Sequence, residues 1–266
     1  MLEKVQTANA SAILGAMLMP VMRSAGHDVP RSAALISCSA IIAPVLPPSV
    51  AIIVFGVIAN VSIGKMFMAG IFPGFLLGLA LVVAWMWAVR KDKVEPLPRR
   101  SAAEVLQAFR VAVPGLMMPL GIIGGMKFGF FTPTEAAVVA CAYSLIVGML
   151  LHRELKVSAL YGLLTSAVKT TAMVVFTIAA ALASAWFITV SEVPSQVAAM
   201  LSPFAGDPKL LMLAIMVLVL IVGTALDFAP TLMILTPVLL PVVTKAGIDP
   251  IYFGVLFIIN NAIGLV

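Results

Sequence analysis

Residues 37–61 read SCSAIIAPVLPPSVAIIVFGVIANV, an apolar run that three prolines interrupt. Pro44, Pro47 and Pro48 donate no backbone hydrogen bond, so each leaves a carbonyl of the preceding helical turn without its partner. An unpaired polar group at membrane depth costs several kcal/mol unless protein, water or an ion satisfies it. The run therefore predicts a re-entrant hairpin with its tip at residues 43–49, and a proline-kinked helix that spans the bilayer is the alternative.

The whole chain has the composition of a membrane protein. Of its 266 residues, 62% are hydrophobic and 10% are charged, whereas soluble domains are roughly 45 to 50% apolar and a quarter charged. The basic residues cluster in one polar connection that follows a long apolar run, at Arg90, Lys91, Lys93, Arg99 and Arg100. Such a cluster is typical of a cytoplasmic loop. The sequence therefore excludes a soluble fold and gives no indication of a nucleic-acid partner.

Polar connections divide the apolar sequence into elements, since about 20 apolar residues are needed to cross a bilayer. The spacing of Ser101 and Glu104 predicts a capping box at the start of a surface helix. The apolar span at residues 111–126 is predicted to break at Gly124–Gly125 and at Phe-Phe-Thr-Pro, residues 130–133. The predicted spans and half-spans are residues 67–89, 111–126, 135–151, 171–190, 209–223, 229–243 and 250–266.

The chain contains an internal repeat. A shift of 221 residues aligns Pro20, Val21, Ala25, Gly26 and Asp28 with Pro241, Val242, Ala246, Gly247 and Asp249. Matched proline, glycine and aspartate carry more weight than matched leucine in so apolar a chain. Paired half-repeats that each contain an interrupted membrane segment are typical of secondary transporters, which bind their substrate between the two repeats.

The repeat also organises the chain into four predicted segments. They are a first-repeat transport element with the hairpin, a span with the basic loop and surface helix, a group of connecting spans, and a second-repeat broken helix with the first half of another hairpin, at residues 1–66, 67–110, 111–208 and 209–266. The repeat register places the counterpart of the Pro47–Pro48 tip just beyond Val266. It places the counterpart of the Gly223 break near residue 2. We therefore expect the chain to be a fragment that is cut within functional elements at both ends.

Five short motifs run along the chain. They are APVLPPS at residues 43–49, GGMKFGFFTPTEAA at 124–137, LTPVLLP at 235–241, DPIYFG at 249–254 and NNAIGLV at 260–266. Together they resemble the large membrane subunit of the tripartite ATP-independent periplasmic (TRAP) transporters, the DctM-like family, over nearly the whole chain. In that family the last motif continues as TPPVG, which is what the internal repeat requires after residue 266.

The resemblance implies an all-α membrane protein, a multi-span helical bundle with inverted repeats, broken helices and re-entrant hairpins that moves as an elevator. It implies sodium-driven import of organic anions, carboxylates or sugar acids, across the bacterial inner membrane. In this family a periplasmic binding protein delivers the substrate and a small membrane subunit braces the large one. Na⁺ is the coupling ion, and no cofactor or other metal is implied.

By matching position, the resemblance also implies two sodium sites that are built from backbone carbonyls. The first site uses the carbonyls of Ala43, Leu46 and Pro48, and the second uses those of Gly223 and Gly264. Neutral oxygen ligands suit a hard cation. The serine-rich partner that the family supplies to the first site should lie near residues 1–4, where the sequence Met-Leu-Glu-Lys does not match it.

Three polar side chains near these breaks are further candidates for binding the substrate or an ion. Asp227 is a carboxylate at predicted membrane depth, where a charge is costly and usually functional. It either binds a cation directly or caps the half-helix that follows it. Ser49 and Asn260 flank the two tips, and each either binds a substrate carboxylate or satisfies freed backbone groups.

Other polar residues are explained by structural roles. Glu135 is expected to cap a helix start, and Lys127 and Lys169 are expected to extend towards the membrane interface rather than to attract an anion. His27 and His152 lie in polar connections, and no metalloprotease or serine-hydrolase motif occurs, so an enzyme is not predicted. The alternative function is that of a non-transporting membrane scaffold, or of a remnant of a transport subunit.

Overall fold

The computed structural model describes residues 15–90, 100–204, 206–226 and 228–264, and within them the chain forms helices and turns without a strand. The helices are α1 (residues 15–24), α2 (Val29–Ser39), α3 (Val50–Ile58), α4 (Ile63–Val89), α5 (Ala102–Lys127), α6 (Pro133–Ile146), α7 (Val157–Val190), α8 (Val193–Leu201), α9 (Pro208–Ala225), α10 (Phe228–Lys245) and α11 (Pro250–Gly264). Six of these helices are long and apolar enough to cross a membrane, namely α4, α5, α6 with its π-helical extension, α7, α9 and α10. The predicted all-α, multi-span fold class is confirmed.

The chain divides into two compact units. One unit contains Pro98–Ala180, and the other contains Met1–Leu97 together with Ala181–Val266. Both predicted breaks and the predicted sodium-site residues belong to the second of these. The functional division into four segments stays a prediction.

In the unit formed by Pro98–Ala180, α5 begins at the predicted capping box, in which the Ser101 side chain accepts from the Glu104 N–H and the Glu104 carboxylate accepts from the Ser101 N–H. The helix then continues to Lys127. The predicted surface helix and the span after it are therefore one helix, which passes through Gly124 and Gly125 without the predicted break. The break predicted at residues 130–133 is confirmed, because the chain leaves the helix after Lys127 and α6 starts at Pro133. Gly125 is needed inside the helix because a side chain there would overlap the Phe131 ring.

Two local features of α5 and α6 follow from their sequence. Pro114 and Pro119 lie inside α5, and the Tyr143 hydroxyl of α6 donates to the Pro114 carbonyl at 2.7 Å, which joins the two helices. The Thr-Pro-Thr-Glu motif starts α6 with a second capping box, since the Glu135 carboxylate accepts from the Thr132 N–H at 2.7 Å. The expected capping role of Glu135 is confirmed.

In the other unit, the three-proline run interrupts a helix where the sequence predicts it. α2 ends at Ser39, a 3₁₀ turn occupies Ala40–Ile42, and α3 starts at Val50. The intervening residues 43–48 form turns. The predicted interruption of the helix is confirmed.

The path of the chain through this break differs from the prediction, because α2 and α3 both lie along α4. Near the carboxyl end of α4, the Arg31 side chain donates to the Ala88 carbonyl at 3.4 Å. Near its middle, a Cβ built at Gly74 would lie 2.6 Å from Leu46 Cδ2. Only four residues, 59–62, separate the end of α3 from the amino end of α4.

α2 therefore starts beside the carboxyl end of α4, and α3 ends beside its amino end. The 27 residues of α4 extend about 40 Å, which exceeds the roughly 30 Å hydrocarbon core of a bilayer. The prediction that residues 37–61 form a re-entrant hairpin is therefore wrong, because the chain continues in one direction instead of turning back. The prolines break the helix, but contacts with α4 carry the chain onward, so α2 and α3 form one discontinuous spanning helix.

The reversal of direction occurs instead between α9 and α10, which the sequence predicts as a broken helix. α11 runs parallel to α9, because Asn260 contacts the Met216 carbonyl at 2.6 Å and Gly264 lies against Gly223, further along both helices. α10 runs antiparallel to α11, because the Asn261 side chain reaches the Phe228 carbonyl at the start of α10. α9 and α10 are therefore antiparallel and form a helical hairpin.

The internal repeat is visible in two turns with the same hydrogen bonds. Gly26 has φ of 85° and Gly247 has φ of 76°, a left-handed conformation that glycine adopts without strain at a helix end. In one turn Ala25, Gly26 and His27 donate backbone bonds to the carbonyls of Val21, Arg23 and Met22, and in the other Ala246, Gly247 and Ile248 donate to those of Val242, Thr244 and Val243. Every donor and acceptor keeps the repeat register.

The core of this unit lies where α3 and α11 meet. The Phe55 ring contacts those of Phe253 and Phe257 at centroid distances of 6.1 and 6.3 Å, and all three side chains are fully buried. Gly254 lies directly against the Phe55 ring, so a side chain there would overlap it. Because lipid tails are as apolar as these side chains, close packing is what holds the helices together.

Candidate functional site

The closest backbone approach near the hairpin involves Gly223 of α9 and Gly264 of α11. A Cβ built at Gly264 would lie 3.1 Å from the Gly223 carbonyl carbon and 3.3 Å from the Gly223 Cα. A Cβ built at Gly223 would lie 2.9 Å from the Asn261 Oδ1. A side chain at Gly264 would therefore press on the backbone of α9, and one at Gly223 would displace the Asn261 amide. We call Gly223, Asn261 and Gly264 the glycine crossing.

The glycine crossing concentrates oxygen atoms. Gly223 is one of the last four residues of α9, and the carbonyls of that turn lack partners within the helix and carry the negative end of its dipole. The Leu220 carbonyl oxygen lies 3.3 Å from the Cβ position of Gly264. Oxygen ligands without a formal charge, next to a helix carboxyl end, suit a hard cation.

Asn261 supplies a further oxygen atom at the crossing. Its side chain is fully buried, and its Nδ2 donates to the Phe228 carbonyl at 3.0 Å. Its Oδ1 is buried and has no hydrogen-bond partner among the described residues. A buried carbonyl oxygen that is left unpaired is uncommon in a folded protein and calls for a ligand or an ordered water.

The other second-site candidates have different surroundings. Asn260 is half-buried and donates to the Met216 carbonyl at 2.6 Å, so it joins α11 to the middle of α9. Asp227 lies outside the described residues, so both of its predicted roles stay predictions. The structure thus brings Gly223 and Gly264 together, as the resemblance implies, but it places Asn261 rather than Asn260 beside them.

The spacing along α11 does not distinguish these two asparagines, because each of them lies three or four residues from both Phe257 and Gly264. Burial distinguishes them. Asn261 is fully buried, as is Phe257, whereas Asn260 is half-buried. The sequence therefore carries no signal that selects Asn261.

At the first break, Ser49 has a structural role. Its side chain accepts from the Ile52 N–H at 3.3 Å and caps α3. Its hydroxyl donates to the Pro44 carbonyl at 2.5 Å. Ser49 therefore satisfies backbone groups on both sides of the prolines, which is one of its two predicted roles.

The three carbonyl candidates at this break are Ala43, Leu46 and Pro48, and all three residues are exposed. The Val45 carbonyl points instead at α4, where it lies 2.5 Å from the Cβ position of Gly70. The expected partner segment near residues 1–4 lies outside the described residues. Sodium binding by this half of the site stays a prediction.

The two lysines considered in the sequence analysis belong to the unit formed by Pro98–Ala180. Lys127 lies at the exposed end of α5, and Lys169 is exposed on α7. Among the described residues, no three His, Cys, Asp or Glu side chains lie close enough to hold a metal ion. The candidate site is therefore a cluster of neutral oxygens at a helix contact.

These features define an all-α, multi-span membrane protein in which a helical hairpin contacts a neighbouring helix through backbone and amide groups. The chain belongs to the family of the tripartite ATP-independent periplasmic transporter, DctM component, whose family model matches residues 5–266. It is a multi-pass protein of a bacterial inner membrane. The family consists of transporter permeases and not of enzymes.

Curated relatives match almost the whole chain. The 2,3-diketo-L-gulonate TRAP transporter large permease of Escherichia coli is 46% identical over 96% of this chain and 60% of its own length. The sialic acid TRAP transporter large permease of Vibrio cholerae is 35% identical over 95% and 59%. The C4-dicarboxylate TRAP transporter large permease of Pseudomonas aeruginosa is 32% identical over 96% and 60%. The chain thus spans about 60% of the length of each of these three relatives.

Proposed function

We propose that this chain forms part of the large permease of a TRAP transporter and couples Na⁺ entry to import of an organic anion. Its relatives are named for diketogulonate, sialic acid and C4-dicarboxylates, all of which carry carboxylates at neutral pH. The observation that carries sodium coupling is the close approach of Gly223 to Gly264. It brings two helix backbones together beside an unpaired buried oxygen.

The arrangement explains how a neutral site can hold a cation. Carbonyl and amide oxygens replace part of the hydration shell of Na⁺, as they do for other hard cations at roughly 2.3 to 2.5 Å. The carboxyl end of α9 adds a favourable potential. The bound Na⁺ in turn favours an anion nearby, which couples the two binding events.

The same proposal includes two partners and an elevator-like movement. A periplasmic binding protein delivers the anion, and a small membrane subunit braces the permease. The basic loop after α4 faces the cytoplasm, because Lys and Arg concentrate on that side of membrane proteins.

A purely structural scaffold is not favoured by the site. Scaffolding requires close helix packing, but it gives no reason to leave the Asn261 Oδ1 buried without a partner. An oxygen of this kind is destabilising unless something binds it.

The test is sodium-dependent uptake after the change Gly264→Val. Membrane vesicles that carry the large permease of which this chain is part, together with its small membrane subunit and periplasmic extract, are given radiolabelled sialic acid, diketogulonate or succinate in NaCl or KCl. We expect uptake of the accepted anion to require Na⁺, and Gly264→Val to reduce it roughly tenfold or more, because valine separates the two helix backbones. Gly121→Val is the matched control, since a Cβ there meets nothing within 4 Å. Unchanged sodium-dependent uptake in Gly264→Val would contradict the proposal.

A further inference from the structure

The orientation of the Asn261 side-chain amide is fixed by its hydrogen bond. Its amide can be oriented in only one way, because the Phe228 carbonyl at 3.0 Å accepts a hydrogen bond and donates none. The atom facing Phe228 must therefore be Nδ2. Oδ1 is then the amide atom that lies 2.9 Å from the Cβ position of Gly223.

We propose that Asn261 Oδ1 is a direct side-chain ligand of the cation at the glycine crossing. The inference rests on the sodium coupling proposed above and adds to it a residue of this chain. Asn261 is fully buried, its Nδ2 bond locks the side chain to the first residue of α10, and its Oδ1 has no partner among the described residues. The amide thus joins the hairpin and α11 while it offers an oxygen to the space between them.

Asn260, on the same helix, has different surroundings and lacks this role. It is half-buried, it bonds to the Met216 carbonyl in the middle of α9, and it leaves no buried atom unpaired among the described residues. The two adjacent asparagines therefore form a matched pair for an experiment. One is placed to bind an ion, and the other holds two helices together.

Three variants separate ion binding from a structural role. Asn261→Leu keeps the approximate size of the side chain but removes both polar atoms. Asn261→Asp keeps an oxygen and removes the N–H that holds Phe228. Asn260→Leu is the control. The protein is purified from its membrane in detergent, and its thermal unfolding midpoint is measured as NaCl replaces choline chloride at constant ionic strength.

We expect NaCl to stabilise the unaltered protein. In Asn261→Leu, the concentration of Na⁺ for half-maximal stabilisation should rise about tenfold or more, because a ligand to a charged group is lost. In Asn261→Asp, the Na⁺ concentration for half-maximal stabilisation should stay within about threefold of that of the unaltered protein, or fall. Sodium binding to this variant should also strengthen as pH rises, because the carboxylate must lose its proton before it binds the ion. Asn260→Leu should keep the original sodium dependence.

Two outcomes overturn the assignment. One is an unchanged sodium dependence in Asn261→Leu. The other is a sodium affinity that is weakened in Asn261→Asp without any pH dependence, which means that Asn261 acts only through its N–H. If Asn261→Leu does not fold, the Asp variant alone decides. If NaCl fails to stabilise even the unaltered protein, the proposed sodium coupling fails with it, so the two failures are distinguishable.

Discussion

Two breaks interrupt apolar sequence in this chain, and they have opposite effects on its path. Between α2 and α3 the chain continues in one direction along α4, although three prolines lie in or beside the break. Between α9 and α10 the chain reverses, although the two residues that join the helices, 226 and 227, include no proline. Proline alone does not set an interruption, since the second break has none and Pro73, Pro114, Pro119, Pro237 and Pro241 lie inside continuous helices. Contacts at the far ends of the half-helices determine where the chain goes after a break.

The two breaks also differ in how their polar groups are satisfied. At the first break the Ser49 side chain binds the Pro44 carbonyl and the Ile52 N–H, so the chain supplies its own partners. At the second, Asn261 binds the start of α10 but leaves its Oδ1 unpaired among the described residues. A satisfied break stabilises the fold, and an unsatisfied one is available to a ligand.

A substitution at Gly70 tests the contact that directs the chain along α4. We expect Gly70→Ala to destabilise the protein by about 1 to 3 kcal/mol, because overpacking forces the backbone to move and the new Cβ would lie 2.5 Å from the Val45 carbonyl oxygen. The free energy of unfolding in detergent, measured by denaturant titration, checks it. Gly78→Ala on the same helix is the control, since its Cβ would meet only Ile42 Cδ1 at 3.8 Å. Equal stabilities of the two variants would contradict the described path.

A smaller effect on stability is expected at Ser49, which satisfies backbone groups at the first break. Ser49→Ala removes both the cap of α3 and the partner of the Pro44 carbonyl, and we expect it to lower the free energy of unfolding by about 1 to 2 kcal/mol. Sodium-dependent stabilisation should keep its half-maximal concentration, because this serine serves the backbone. Ser24→Ala, at an exposed site, is the control. A weakened sodium affinity in Ser49→Ala would instead make Ser49 part of an ion site.

Several features of the fold follow from local sequence and could be predicted. The prolines locate the first interruption, and the spacing of Ser101 with Glu104 predicts its capping box because capping is a local interaction. The matched turns at Gly26 and Gly247 follow from the repeat. The meeting of Gly223 with Gly264 was expected from the family resemblance, and the structure has this contact.

The direction of the chain after each break could not be predicted in the same way. Freed carbonyls accompany both continuation and reversal, so local chemistry does not separate them. Whether the chain continues or reverses depends on contacts between residues far apart in sequence, such as Arg31 with Ala88. The choice between Asn260 and Asn261 likewise depends on which face of α11 meets α9. Both the direction of the chain and the choice of asparagine depend on tertiary contacts, which a short sequence motif does not specify.

The most direct test of the chain path at the two breaks measures one distance for each break by double electron–electron resonance between a pair of spin labels. Cys38 and Cys141 are first replaced by serine. Labels at positions 29 and 60 report the ends of the α2–α3 element, and labels at positions 209 and 245 report the ends of the α9–α10 hairpin; all four positions are exposed. We expect roughly 40 Å for the first pair, from the length of α4, and under about 20 Å for the second, from the spacing of packed helices plus label linkers. A short distance for the first pair, or a long one for the second, would contradict the account.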